Sequence, residues 1–269
     1  MVSIALSVLA AVMLAVPSLA AAEPAPTVFL EELTSPELAA QIRRGRTTVI
    51  VPIGGTEQNG PHMTLGKHNV RVKALSEKVA RALGDAVVAP VIAYVPEGTI
   101  DPPTGHMRYA GTITVPPEVY RKVLESAARS FRQHGFRDIV FLGDSGDYQP
   151  DNAAVAASLN REWAGAPVRV HAIVEYYRIP TAWFARTLRA RGFADAEIGR
   201  HAGLADTSLM LAVDPRVVHM DRTVPASGQA TLPGVTGDPR RATPELGNLA
   251  VDAIVKDTVA AIRAATATH

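Results

Sequence analysis

The chain has 269 residues with 27 Lys and Arg against 26 Asp and Glu, so its formal net charge at pH 7 is +1. A charge balance this close to zero excludes the strongly basic surface by which most nucleic-acid-binding proteins hold phosphates. Hydrophobic residues make up 47% and charged residues 20%, a composition typical of a folded globular protein. The absence of cysteine excludes disulfides, thiolate metal sites and a cysteine nucleophile.

The first 22 residues carry no charged side chain and end in a run of three alanines. Their apolar stretch, residues 4–16, is shorter than the roughly 20 residues that a bilayer-spanning helix needs. The alanines are typical of a signal-peptide cleavage site. We therefore predict a secretory signal over residues 1–22, a single domain over 23–269, and a periplasmic or secreted protein without membrane association after cleavage.

The remaining sequence alternates between apolar runs and segments of helical periodicity. The runs predict strands at 47–55, 86–95, 112–115, 138–143 and 167–177, and the periodic segments predict helices at 35–44, 70–83, 116–134, 152–163, 180–191, 204–212 and from 244 onward. Continuous apolar strands are typical of a parallel sheet that is buried on both faces. The pattern predicts an α/β fold with a mostly parallel sheet, in which ligands bind beyond the C-terminal ends of the strands.

Polar residues with chemical potential gather in the loops that follow these strands. The groups are Glu57, Asn59, His62 and His68, then His106, then Asp144, Ser145 and Asp147, then Glu175, Tyr176 and Tyr177, and finally His201 with Asp206. Because these loops meet at one edge of a parallel sheet, they are the candidate site.

Four ordered segments carry a resemblance to a known family: IVPIGGTEQNGPH, GHMRYAGTITV, GFRDIVFLGDSGD and HAGLADTSLMLAVDP. In this order they resemble the creatininase (creatinine amidohydrolase) family over roughly residues 28–265. The resemblance implies a three-layer α/β/α fold, a homo-oligomer, and a two-metal site that hydrolyses a C–N bond in a cyclic or peptide-like amide.

The first family motif, Glu-Gln-His-Gly-Pro-His, is matched here with one change in its metal ligands. Glu57 stands at the ligand Glu and His62 at the second His, but Asn59 replaces the ligand His. His68 stands where the family has a metal-bridging Asp.

The later motifs differ from the family pattern as well. Ser145 replaces another ligand His, and Asp147 stands where creatininase uses a ligand Glu. In the motif His-Ala-Gly-Glu-x-Glu-Thr-Ser, His201 and Asp206 match in position, whereas Leu204 replaces the first Glu.

Loss of the bridging carboxylate disfavours two close divalent cations, because their repulsion needs anionic bridges. We therefore predict about one Zn or Mn ion per chain, held by Glu57, His68 and Asp147 with an open position for water. Glu57 is also predicted to be catalytic, and the resemblance makes His201 the candidate proton shuttle to the leaving nitrogen.

The substrate is predicted to be a small molecule. Its predicted contacts are Asn59, His62, His106, Asp144, Ser145 and Asp206. The leading hypothesis is an exported, metal-dependent hydrolase of an amide C–N bond. Two alternatives remain open from the residues: an inactive family member that only binds a small molecule, and a lactone or ester hydrolase on the same scaffold.

Overall fold

The computed structural model describes residues 27–225 and 231–267. The signal peptide predicted over residues 1–22 lies outside these residues. Within the two described ranges, every helix is too short or too polar to cross a bilayer.

Four parallel strands form the central sheet. They are β1 (Thr48–Ile53), β2 (Ala86–Val88), β3 (Asp138–Gly143) and β4 (Arg169–Ala172). Their order is β2-β1-β3-β4, and each neighbouring pair is parallel. From β1 the chain therefore passes to β2 at one edge of the sheet, and it later enters β3 on the opposite side of β1. This makes the gap between β1 and β3 the topological switch point, where ligands bind in open α/β sheets.

Helices cover both faces of this sheet. In the described residues the α-helices are α1 (Ser35–Arg43), α2 (Lys67–Leu83), α3 (Pro117–Gln133), α4 (Gln149–Glu162), α5 (Glu175–Arg178), α6 (Phe184–Ala190), α7 (Asp195–Ile198), α8 (Leu204–Val213) and α9 (Pro244–Thr266). A π-helical segment, Ile179–Trp183, joins α5 to α6. Short 3₁₀ turns lie at Leu30–Glu32, Gly105–Arg108, Pro215–Val217, Met220–Arg222 and Pro239–Arg241.

Two apolar cores lie on opposite faces of the sheet, because alternate residues of a strand point to opposite faces. Val49 and Val51 of β1 pack with α3 and α4. Ile50, between them, packs with α2, α8 and α9. The sheet is therefore the middle layer of an α/β/α sandwich, and the predicted fold class is confirmed.

Three of the predicted strands are shorter or absent. The run 86–95 is a strand only over β2, because Pro90 has no N–H for the ladder; Ile92 then rejoins β1 by donating its N–H to the Pro52 carbonyl at 2.9 Å. Residues 112–115 form no strand. They lie alongside the loops through single bonds, such as that from the Ile113 N–H to the Thr56 carbonyl at 2.9 Å.

The predicted strand 167–177 ends at Ala172, and its last residues form α5 instead. The aromatic run that suggested a strand serves a different purpose here. Tyr176 is buried in the core, and its hydroxyl donates a hydrogen bond to Asp144 Oδ1 at 2.7 Å. The bend after β4 therefore brings a side chain of α5 under the end of β3.

Candidate functional site

A cavity of about 440 Å³ lies at the switch point between β1 and β3. Its lining includes Glu57 from the loop after β1, Asp144 directly after β3, and Asp206 from α8. His106 and His201 also line it, and both come from loops far away in sequence. The sheet topology thus gathers the polar residues that the sequence placed in separate loops.

A buried ion-pair cluster forms one part of the cavity, and it consists of Lys67, His68, Arg71, Asp144 and Asp206. The Lys67 ammonium donates to Asp206 Oδ2 at 2.6 Å. The Arg71 guanidinium bridges both carboxylates, donating to Asp144 Oδ2 at 2.8 Å and to Asp206 Oδ1 at 2.5 Å. Lys67 is 1% exposed and Arg71 4%, so these charges are screened little by water.

These cations lie at the N-terminal end of a helix, where positive charge is normally unfavourable. Lys67 and His68 begin α2 and Arg71 follows one turn later, although the N-terminus of a helix favours negative charge. The facing carboxylates compensate. Burial by itself raises the pKa of Asp206, but Lys67 and Arg71 hold that pKa well below its usual range. Burial likewise opposes ionisation of Asp144, whose pKa Arg71 and His68 lower.

His68 belongs to this cluster as a cation. Its Nε2–H donates to Glu57 Oε1 at 2.8 Å, and its Nδ1–H donates to Asp144 Oδ2 at 2.6 Å. Burial and Lys67 lower the pKa of His68, but the two carboxylates outweigh them and raise it above its usual value. An imidazolium that donates from both nitrogens has no lone pair for a metal. The predicted ligand role of His68 is therefore not the role that this geometry gives it.

A second group, the triad of Glu57, His106 and His201, lies on the other part of the cavity. It is the one set of three or more His, Asp or Glu residues in the described ranges whose ligand atoms all lie within 4.8 Å of one another. His106 Nε2 lies 3.2 Å from Glu57 Oε2, and His201 Nδ1 lies 3.7 Å from Glu57 Oε1. Burial raises the pKa of Glu57, but His68, Lys67 and His201 together lower it below its usual range. Glu57 is thus a carboxylate.

His201 presents a free nitrogen to this triad. Its Nε2–H donates to the backbone carbonyl of Gln58 at 2.9 Å, so a neutral ring carries its lone pair on Nδ1. Burial and the nearby Lys67 lower the pKa of His201 to about 4, which keeps the ring neutral at pH 7. A histidine whose second nitrogen donates to a backbone carbonyl is the usual form of a metal ligand. In donor type and position, the triad fits one divalent ion.

A second ion does not fit beside it. The Lys67 ammonium lies 3.7 Å from Glu57 Oε1. The carboxylates of Asp144 and Asp206 are already neutralised by Arg71, Lys67 and His68. The expected count of one ion per chain is therefore retained as a prediction, on a different set of ligands.

Asp147, the third predicted ligand, does not join the triad. It is exposed on the cavity wall beside Ser145, which the sequence predicted to contact substrate. Within the described residues its carboxylate makes no hydrogen bond or ion pair. The structure therefore places Asp147 as an uncommitted carboxylate facing the cavity rather than as a metal ligand.

Two predicted substrate contacts lie under the loop rather than in the cavity lining. Asn59 is fully buried, and its side-chain amide donates to the backbone carbonyls of Glu57 and Thr64 at 2.9 and 3.1 Å. His62 is fully buried, and its Nε2–H donates to Thr207 Oγ1 at 3.0 Å. Both side chains brace the loop that positions Glu57, and neither is part of the cavity lining.

The other predicted contacts do line the cavity. They are His106, Asp144, Ser145 and Asp206. His106 is a triad member, and the carboxylates of Asp144 and Asp206 are engaged by Arg71. Ser145 is therefore the member of this group whose side chain is available to a ligand.

Sequence reasoning missed Glu97, a carboxyl next to Glu57. It is 2% exposed, and its carboxyl group lies against that of Glu57. Burial and the neighbouring Glu57 carboxylate raise the pKa of Glu97 to about 9, so it is a neutral acid at pH 7. Gly55 allows this approach: with φ at +151°, a Cβ there would lie 2.7 Å from Glu97 Oε1.

Lys67, Arg71 and Gln58 were also missed. The first two had a signal, because basic residues at positions 67, 68 and 71 share one helical face if the helix begins before residue 70. Placing the helix start at Val70 concealed this. Gln58 had no such signal, since its role depends on which loops meet.

The fold and site together define an α/β/α protein with a candidate metal centre at the switch point of its sheet. The family model for Creatininase (Creatinine amidohydrolase) matches residues 31–262, and the chain belongs to this family. The predicted resemblance is confirmed.

Individual relatives show how far the likeness extends. The chain is 26% identical to a creatinine amidohydrolase of Pseudomonas putida over 256 residues, which are 88% of this chain and 96% of that protein. It is 28% identical to a mycofactocin precursor peptide peptidase of Mycolicibacterium smegmatis over 181 residues, which are 65% of this chain and 62% of that protein. A solved structure described as "Creatininase Mn" superposes with a TM-score of 0.72 at 26% identity, covering 89% of this chain and 99% of the other.

Proposed function

We propose that this protein is a hydrolase of an amide C–N bond in a small cyclic or peptide-like substrate, and that it uses one divalent ion held by Glu57, His106 and His201. The observation that carries the proposal is the triad, whose three ligand atoms converge within 4.8 Å on the cavity. The activities named for two family relatives, creatinine hydrolysis and peptide cleavage, both break amide bonds, which supports the substrate class.

Two imidazoles and one carboxylate are a ligand set that Zn²⁺ and Mn²⁺ accept, with a position left open for substrate or water. When bound, the ion supplies Lewis acidity for the amide carbonyl and for the hydrolytic water. The protein's own residues orient the substrate and move the proton. The role of His201 changes accordingly, from proton shuttle to ligand.

Asp147 is the proposed proton carrier. It is exposed on the cavity wall, and its carboxylate is free of ion pairs in the described residues. A carboxylate so placed accepts a proton from the attacking water and returns it to the leaving nitrogen. The Ser145 hydroxyl, on the same wall, donates to or accepts from a polar group of the substrate.

The test begins with metal content. Purified protein dialysed against Zn²⁺ or Mn²⁺ is expected to retain about one ion per chain by mass spectrometry of the metal. His201→Gln is expected to retain none, whereas His134→Gln, at the exposed end of α3, is expected to match the wild type. Equal metal content in all three proteins would reject the triad as the metal site.

The second part of the test is turnover. The metal-loaded protein is screened against cyclic amides, short peptides and lactones, and the leading proposal requires amide cleavage. Asp147→Asn is expected to lower kcat by about 100-fold, within the range of a lost general acid–base group, and to leave metal content unchanged. Exclusive cleavage of lactones or esters would instead support the alternative chemistry on this scaffold.

A second candidate function, binding of a small molecule without turnover, is favoured by the buried ion-pair cluster. Its cations already neutralise two of the carboxylates that line the cavity, so Asp144 and Asp206 need no added ion. This candidate requires ligand-induced thermal stabilisation that persists in the presence of a chelator. Loss of that stabilisation on chelation would reject it.

We further propose that the protein is exported and forms a homo-oligomer. Export rests on the apolar, alanine-terminated segment 1–22. It is tested by determining the N-terminal residue of the protein recovered from the periplasm or medium. The oligomer rests on the family resemblance and is tested by light scattering of the purified protein.

A further inference from the structure

Gln58 touches both histidines of the triad, although it is neither a ligand nor a charged group. Its side-chain Nε2 lies 3.1 Å from His106 Nδ1 and 3.1 Å from His201 Nε2. It also lies 3.0 Å from the backbone carbonyl of Gly234. Gln58 is buried at 7% exposure, so these contacts are made without competing water.

The orientation of the Gln58 amide is fixed by two backbone groups. The N–H of Gly60 donates to Gln58 Oε1 at 3.0 Å, and Gln58 Nε2–H donates to the Gly234 carbonyl. Exchanging the amide oxygen and nitrogen would set donor against donor at Gly60 and acceptor against acceptor at Gly234. The nitrogen therefore faces the histidines.

The two protons of this amide then determine the tautomer of each ring. One proton goes to the Gly234 carbonyl and the other to His106 Nδ1, so His106 Nδ1 is an acceptor and its proton lies on Nε2. His106 Nε2–H then faces Glu57 Oε2, with 3.2 Å between the two heavy atoms. His201 Nε2–H donates to the Gln58 backbone carbonyl at 2.9 Å, which leaves Nδ1 unprotonated.

The opposite assignment for His201 is less favourable. If Gln58 donated to His201 Nε2, that nitrogen would face the Gln58 carbonyl oxygen at 2.9 Å as a second acceptor. Either His106 or Gly234 would also lose its donor. The arrangement that gives His106 Nδ1, the Gly234 carbonyl and the Gln58 carbonyl each a donor is therefore the one in which His106 accepts from Gln58 and His201 donates from Nε2.

We propose that Gln58 is the positioning residue that sets the tautomers of the triad, leaving His201 Nδ1 ready for a metal while keeping His106 Nε2 protonated until an ion displaces that proton. This inference rests on the proposed metal site but deepens it, because it makes metal affinity a property of an uncharged neighbour. It predicts that His201 binds the ion readily and that His106 binds it at the cost of its hydrogen bond from Gln58.

Gln58→Glu reverses the hydrogen bond to His106, because a carboxylate accepts where the amide donates; its oxygen then also loses the bond to the Gly234 carbonyl. With an acceptor at this position, His106 Nδ1 carries the proton and Nε2 is free for the ion. Zn²⁺ affinity, measured by competition with a chelating dye, is expected to rise about tenfold or more, because a group that accepts from a ligand histidine changes metal affinity by about that factor. Thr181→Glu adds the same charge to an exposed position of the cavity wall and is expected to raise affinity by much less.

The tautomers are also measured directly, in protein free of metal. Imidazole ¹⁵N chemical shifts are assigned by comparison with His106→Gln and His201→Gln. The wild type is expected to show the Nε2–H form at both rings, and Gln58→Glu the Nδ1–H form at His106. An Nδ1–H form at either ring of the wild type would overturn the inference, as would unchanged shifts in Gln58→Glu.

The two measurements keep this inference distinct from the proposed function. Absence of Zn²⁺ binding in both the wild type and Gln58→Glu would reject the metal site, while the nitrogen shifts would still decide the role of Gln58. The predicted shifts together with unchanged or weaker Zn²⁺ affinity in Gln58→Glu would reject the link between tautomer and metal.

Discussion

The cavity has two differently built halves that share Glu57. In the buried ion-pair cluster, every charge of Lys67 and Arg71 faces a carboxylate at 2.5 to 3.1 Å. In the triad, the distances from the histidine nitrogens to Glu57 are longer, 3.2 and 3.7 Å. The cluster is satisfied by the protein itself, whereas the triad has room for an added ligand.

The ion-pair cluster therefore contributes mainly to the stability of the fold, whereas the triad is the part available for metal binding. A buried charge that loses its partner is destabilising by several kcal/mol, so the cluster holds α2 against the ends of β1 and β3. The triad includes two partly exposed histidines whose rings lie 4.6 Å apart between centroids, and the fold depends on them less. Substitutions in the ion-pair cluster are therefore expected to lower the free energy of unfolding, whereas substitutions in the triad are expected to lower metal affinity.

The largest effect is expected in the cluster. Arg71→Met leaves the buried Asp144 without its guanidinium, removes one of the two cations that face the partly exposed Asp206, and is expected to lower the free energy of unfolding by about 3–5 kcal/mol. Urea denaturation measures it. Arg189→Met, which removes a solvent-exposed partner of Asp195, is expected to cost less than about 1 kcal/mol. Equal losses in the two variants would show that the cluster is not a structural element.

A substitution in the triad is expected to change metal affinity strongly and stability little. His106→Gln is expected to lower metal affinity by about 100-fold or more, at least the upper end of the cost of losing a supporting group. Because His106 is partly exposed, the midpoint of urea denaturation in the absence of metal is expected to change little. If His106→Gln lowered the midpoint of urea denaturation as much as Arg71→Met does, the two halves would not differ in their contribution to stability.

The fold could be predicted because its strands and helices are marked by residue patterns within short segments of the chain. Four of the five apolar runs mark a strand, and the parallel order follows from alternation with helices. The misplaced boundaries lie where local pattern is overridden, as at Pro90 in the predicted strand 86–95 and at Tyr176, which turns inward to Asp144.

The site was predictable only in part, because a ligand set depends on which loops meet. Glu57 was predicted from its place after β1, and it is central to both halves of the cavity. His68 was assigned to the metal because its position matched a family ligand, but two carboxylates engage both of its nitrogens. His106 becomes a candidate ligand only once its loop is seen to fold over Glu57 and Gln58.

The smallest expected effect concerns pH and contrasts two buried histidines. His68, between two carboxylates, is protonated, whereas burial lowers the pKa of His62 to about 4 and keeps that ring neutral. The usual histidine pKa of about 6.5 applies to the unfolded chain. The stability contributed by neutral His62 is therefore fully present above pH 6.5 and is lost as pH falls towards 4.

His62→Gln, which retains a donor for Thr207, tests this contribution. Between pH 7 and pH 4 the wild type is expected to lose about 2 kcal/mol more of its unfolding free energy than the variant does. Urea denaturation at several pH values measures the difference, with His134→Gln, at an exposed helix end, as the matched control. Parallel pH profiles for wild type and His62→Gln would mean that His62 titrates as an exposed histidine does. The loss of stability in acid would then originate at other residues, and the contrast between neutral His62 and protonated His68 would not hold.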